Sequence, residues 1–296
     1  MNRQFLQKQV IDVSPIDRKI ARSKAKVYTT HKYYPDDMRP ELWSSTIRNP
    51  ANINLKWYSE YLKVLKKNEN FGSTDIISSK IDHAFAKLVI PEDKKLKNSV
   101  TNILLIFELS QPDVGYVIGM EKVAIFLRRL CEEFESFLIF YNCIFSFKFI
   151  WAIYSQNHVE IQVYLKAFDL MSQRFPETEN AYKMNKIHIN RFFVEQASTL
   201  FLDVFEESNV ERMMDQLTSK GEFVFFVLMF MVAEGFSNLD VSSMHYDVVK
   251  KMMVEKARKI DAVGFYYRLM NCGSEKKIFK GIVERIRKEN QIEEPF

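Results

Sequence analysis

Between residues 111 and 120 the chain reads Gln-Pro-Asp-Val-Gly-Tyr-Val-Ile-Gly-Met, and the sequence on both sides of it carries a helical period. Pro112 presets φ and Gly115 tolerates the positive φ of a tight reversal, so this stretch is a corner. Beyond it, Val117, Met120, Val123, Ala124, Leu127, Leu130, Cys131 and Phe134 fall on one face of an α-helix. Upstream, Leu96, Val100, Ile103, Leu104 and Phe107 bring a second helix into the corner. Two helices therefore meet here. Gly119 is expected in the first turn of the second, where a backbone or a partner can approach closely. On spacing alone the corner is a helix–helix turn with a small residue for packing.

The rest of the chain keeps the same period. Strict apolar/polar alternation is scarce, and eight Gly and eight Pro in 296 residues are few, against a usual combined share of about 12%. The chain reads as all-α. Twenty-five Phe suit a core of large interdigitating side chains. Trp57–Lys67 is amphipathic with a lysine-rich last turn, Asn68–Ser73 is a loop, and Thr74 can cap the helix that follows. Pro91 is expected to open the helix leading to the corner, two buried helices to fill residues 117–154, and Val159–Phe175 to run helically until Pro176. Ser208-Asn209-Val210-Glu211 has the form of a capping box for a helix that ends at Lys220-Gly221. Met244–Ile260 and Ser274–Asn290 add two more helices, the last one basic. The longest apolar stretches, Phe137–Tyr154 and Phe223–Ala233, are interrupted by polar residues or too short to span a bilayer. They are expected to be core helices, with no transmembrane segment.

Charge is distributed unevenly. Residues 1–32 hold eight Lys/Arg against Asp12 and Asp17, a balance of +6 in a chain whose net charge is +4, which leaves about −2 for the remainder. A basic N-terminal arm, 1–32, joined to a domain over 33–296 suggests docking on an acidic surface. A solvated tail is the plain alternative. Residues 1–30 lack the uninterrupted apolar core of a secretory leader. Cys131, Cys143 and Cys272 show neither disulfide nor metal-ligand spacing, which fits a reducing compartment. Neither a Walker loop nor Gly-x-Gly-x-x-Gly is present, the five His are isolated, and the basic last helix has little aromatic interleaving. No cofactor, metal or nucleic acid is expected.

Gly-Tyr-x-x-Gly-Met at 115–120 resembles the signature of TBC domains, the GTPase-activating proteins of Rab-type small GTPases. Arg39-x-x-x-Trp43 is similar to that family's opening motif, in which the Trp anchors the first helix. The block from Leu200-Phe201 to Arg212-Met213-Met214-Asp215 ahead of Gly221 is similar to its late motif, with Met214 where Trp is usual. The likeness spans about Pro35 to Gly235 and implies an all-α, multi-helix domain of two helical subdomains, with a boundary near 176.

The departures from the pattern lie at the chemistry. The family's Gly-Tyr-x-Gln-Gly-Met has Ile118 at the Gln position. Its Ile-x-x-Asp-x-x-Arg-Thr-Phe string, set on Ile77 and Phe85, has Lys80 at the Asp and His83 at the catalytic Arg. An Arg supplied in trans is worth roughly 10³–10⁵ in the rate of GTP hydrolysis, and a Gln orients the attacking water. Imidazole lacks the guanidinium fork, and a hydrocarbon cannot position water. The resemblance therefore implies no catalytic residue, and a groove that faces a GTPase with Lys80, His83, Gly115, Tyr116, Ile118 and Gly119. The expected function is a catalytically inactive structural or scaffolding subunit, tied through residues 1–32 to protein partners in a larger assembly. The alternatives are a Rab-type GTPase binding module without catalysis, and an active GAP that borrows Arg39 or Arg48. An intracellular setting is expected, cytoplasmic or on a cytoskeletal or organellar assembly, with peripheral membrane contact left open.

Overall fold

The computed structural model describes residues 34–67, 74–88, 93–260, 264, 268 and 273–293; the basic arm, Pro91 and the loop at 68–73 lie outside them. All regular structure among the described residues is helical. The chain divides into two compact units between Phe147 and Lys148. The boundary expected near 176 instead falls between two helices of the second unit.

In unit 1 a 3-10 turn at Asp36–Met38 leads into α1 (Arg39–Thr46), followed by α2 (Leu55–Lys67), α3 (Thr74–Leu88), α4 (Lys94–Ser110), α5 (Met120–Leu130) and α6 (Glu133–Ser146). α4 is the hub and packs against α2, α3, α5 and α6. Its apolar face, from Val100 through Ile103, Leu104 and Ile106 to Phe107, is buried as the period requires. Asp93 caps α4, accepting from the backbone N–H of Lys95 and Leu96. Trp43 is fully buried with its ring 6.3 Å from that of Phe126, so it does anchor the first helix in the core.

The helix expected to run from Val117 through Phe134 is shorter at both ends. Gly119 is its N-cap rather than a first-turn residue, and at Cys131 the backbone becomes extended (φ −125°, ψ 161°). Phe134 belongs to the next helix, where Glu135 accepts from the Glu132 N–H at 3.4 Å. Apolar periodicity simply continues across such a break, because both helices turn their faces to the same core. Residues 117–154 thus hold three helices instead of two.

Unit 2 runs through α7 (Lys148–Tyr154), α8 (His158–Ser172), α9 (Pro176–Ala197), α10 (Glu207–Lys220), α11 (Phe223–Glu234), α12 (Tyr246–Arg258) and α13 (Gly273–Glu289). α11 is apolar on every side and packs against α9, α10 and α12, as a helix hydrophobic all round must. Around it Phe226 meets Phe279 at 4.2 Å, and Phe168 stacks on Phe230 at 4.7 Å. Pro176 does not stop a helix; it opens α9 at N1, where its missing N–H has no partner to lose. The Ser208–Glu211 capping box does not form either. Glu206 is the N-cap of α10, which leaves Ser208 inside the first turn. Gly221 closes that helix at φ +82°, as expected of its position.

α9 is broken at Asn185 (φ −122°, ψ 19°), a residue 1% exposed. Its amide donates to the Leu239 carbonyl at 2.6 Å and accepts from the Val241 N–H at 2.8 Å, tying the loop before α12 to the break. Past the end of α9, Leu200 and Phe201 take positive φ (50° and 60°) while fully buried, a conformation that bulky residues keep only when packing holds them.

α13 is fastened to α8 by a buried ion pair between Arg287 and Glu160, whose side chains are 7% and 2% exposed. Arg287 Nη2 also reaches the Tyr164 hydroxyl at 3.5 Å, and that hydroxyl donates to Glu222 at 2.7 Å. Glu222 accepts as well from the Phe149 N–H at 2.9 Å. Burial raises the Glu222 carboxyl above its ordinary range, against the opposing pull of those hydrogen bonds and of Arg287. A carboxyl whose folded-state value is raised stabilises the fold most below its unfolded value of about 4.3, and that contribution disappears as pH rises through the folded one. Glu222→Gln should therefore gain stability relative to the natural protein as pH is raised from about 4, then level off. Urea unfolding across that range measures it, and a pH-independent difference between the two proteins would contradict the assignment.

Among the described residues no single helix is long and apolar enough to cross a membrane.

Candidate functional site

The corner is held by its own backbone first. The Gln111 carbonyl accepts from the N–H groups of Val114 and Gly115 at 3.1 and 2.9 Å, and the Val117 carbonyl accepts from Met120 at 3.1 Å. Gly115 has φ +64° and a Cβ there would meet nothing closer than 4.0 Å, so conformation rather than space demands glycine. Gly119 sits at φ +107°, ψ −23° and is buried, where an L side chain would be strained.

A residue that spacing did not single out fixes the rest. Glu121, 3% exposed, accepts at one carboxylate oxygen from both the Tyr116 hydroxyl and the Gly119 N–H, each at 2.7 Å. It lies in the first turn of α5, where the helix dipole favours a negative charge. One carboxylate therefore staples the two ends of Tyr116–Gly119. The sequence signal was an acid two residues after a helix-opening glycine. Gln111 adds a second tie by donating to the Tyr141 hydroxyl of α6 at 2.6 Å.

Ile118 projects from this braced corner and is 64% exposed. A hydrocarbon so placed gains nothing from the fold. The other two candidates come from α3, whose Ile77, Ile81, Ala84 and Phe85 are buried while Lys80 is half-buried and His83 exposed. α3 packs against both α4 and α5, so it borders the helix that the corner opens. Asp82, beside His83, is ion-paired with Lys97 of α4. Gly115, Tyr116, Ile118 and Gly119 are thus brought together with Glu121. Among the described residues no hydrogen bond or ion pair joins Lys80 or His83 to them.

Of the two arginines that sequence reasoning offered as substitutes, Arg39 is 5% exposed and ion-paired with Asp36. Arg48 is exposed. No arginine occurs between Arg48 and Arg128, a span that contains the whole of α3 and the corner. Burial pushes the Cys143 thiol up to about 12, which leaves it inert as a nucleophile. Among the described residues no group of three or more His, Cys, Asp or Glu could hold a metal ion.

A model of the Rab-GTPase-TBC domain matches residues 36–237. The chain is 27% identical over 158 residues to TBC1 domain family member 12 of Xenopus tropicalis, a stretch covering 46% of this chain and 23% of that relative. The solved Chlamydomonas flagellar RabGAP TBC domain resembles it with a TM-score of 0.61 at 16% identity, over 90% of this chain and 87% of that one. The Ypt/Rab-GAP domain of Gyp1p does so with a TM-score of 0.65 at 14% identity, over 93% and 98%. At such identities the solved structures bear on fold alone.

Proposed function

Because the chain belongs to the Rab-GTPase-TBC domain family, we propose that it is a catalytically silent TBC domain serving as a structural, scaffolding subunit of a larger assembly. The observation that carries this reading is the pair His83 and Ile118, an exposed imidazole and an exposed hydrocarbon at the positions where the family resemblance calls for Arg and Gln. GTP hydrolysis spreads charge over the γ-phosphoryl oxygens, and stabilising it takes a fixed cation and a positioned water. Imidazole has no bidentate fork, and isoleucine has no hydrogen-bonding atom. Lys80, where an acid would steer an arginine, adds a like charge instead. The basic segment 1–32, outside the described residues, is the part we assign to tethering, in an intracellular assembly.

A specific feature favours a second reading, in which a Rab-type GTPase is still bound without hastened hydrolysis. The Glu121 staple keeps the corner rigid around an exposed apolar side chain, as a contact surface requires. Single-turnover phosphate release from a panel of GTP-loaded Rab proteins tests the silence. The protein should accelerate none of them, and a gain above about 10-fold would sink the proposal. Capture of the same GTP-loaded proteins distinguishes the readings, since a pure scaffold retains none above background.

A further inference from the structure

We propose that the outer face of α2 is a docking surface for an anionic membrane. Tyr58 and Leu65 turn this helix into the core. Lys56, Lys63 and Lys67, spaced by seven and four residues, line its exposed side. One acid lies among them, Glu60, paired with Lys63 at 3.2 Å. Directly beside the lysines run Trp57, Tyr61 and Val64, spaced by four and three. Val64 is 44% exposed. The half-buried rings of Trp57 and Tyr61 lie 4.1 Å apart, with Phe137 backing Trp57 at 5.7 Å. Lys94 and Lys95, exposed at the start of α4, add charge on a helix that packs against α2.

The face is thus a firm aromatic and aliphatic strip edged by ammonium groups over about 16 Å of helix. Two anionic partners suit such charge, an acidic protein or a layer of phospholipid headgroups. The composition favours the second. Protein interfaces concentrate arginine and deplete lysine, because a guanidinium fork matches a fixed carboxylate. This surface has no arginine, as none occurs between Arg48 and Arg128. Lysine point charges need no registry with fluid headgroups, and Trp and Tyr are the side chains that settle at the membrane–water boundary.

The test is co-sedimentation of the full chain with phosphatidylcholine vesicles, with and without about 30 mol% phosphatidylserine, at about 0.05 and about 0.3 M salt. Binding is expected only with phosphatidylserine, and it should weaken with salt. At about 5-fold per lysine, K56Q/K63Q/K67Q should lower the partition coefficient about 100-fold, and K56E/K63E/K67E further. All three positions are exposed, and a circular-dichroism melt confirms that each variant is folded. Both variants leave residues 1–32 intact, so undiminished binding would place the contact elsewhere and overturn the proposal. No binding by the natural protein overturns it too. Retention on poly-glutamate beads without vesicle binding would assign the face to an acidic protein instead.

Discussion

Arg287→Ala is expected to destabilise unit 2 by about 3–5 kcal/mol, a large fraction of the 5–15 kcal/mol that holds an ordinary domain together. The guanidinium lies with its partner, Glu160, under almost complete cover. Removing it strands a carboxylate in the interior beside Glu222, which burial already strains. It also takes a cation away from the face of Tyr164, 5.6 Å from the ring centre. Replacing both charges, as in Glu160→Leu with Arg287→Met, should cost much less, since a well-packed apolar pair often matches a buried ion pair. Urea unfolding followed by circular dichroism reads both variants. A single-variant loss below about 1 kcal/mol would mean that water reaches the pair.

The second large effect is a gain. If the groove is kept and only its chemistry is gone, Lys80→Asp, His83→Arg and Ile118→Gln together should raise Rab GTP hydrolysis at least 10-fold over the natural chain. The ceiling is the roughly 10³–10⁵ that an arginine supplied in trans is worth. Lys80 is half-buried, and His83 and Ile118 are exposed, so the substitutions disturb little packing. The readout is single-turnover phosphate release, paired with capture of the GTP-loaded protein. A triple variant that captures the GTPase yet leaves its rate unchanged would show that more than these side chains has been lost. One that neither captures nor accelerates would show that the surface has gone, and would favour the scaffold over the binding module.

Periodicity made the helices legible but not their ends. Cys131 and Phe134 continue an apolar pattern across a break because two helices turn the same kind of face to one core. Pro176 looks identical in sequence whether it stops a helix or starts one, and the backbone chose the start. The Ser208–Glu211 box lost to a start two residues earlier at Glu206. At the corner, Gly115 was legible because positive φ leaves a signature in residue type, whereas Gly119, expected inside the first turn, takes positive φ as the N-cap instead. Glu121 was not, since an acid in a first turn is commonplace and its burial depends on Tyr116 folding back over it. The Asn185 break has no signal in spacing, because its cause is a loop more than fifty residues further along the chain.

The clasp between Glu160 and Arg287 also sets a clock. Their partners lie 127 residues apart, and a ribosome adding about 5–20 residues per second needs roughly 6–25 s to cover that distance. Throughout that interval the nascent chain presents an unneutralised acid, and the ring of Tyr164 waits for Phe279 to cover it. Unit 2 is therefore a body whose core closes only when its last helix has been made, and until then the apolar surface that α13 covers is open to solvent.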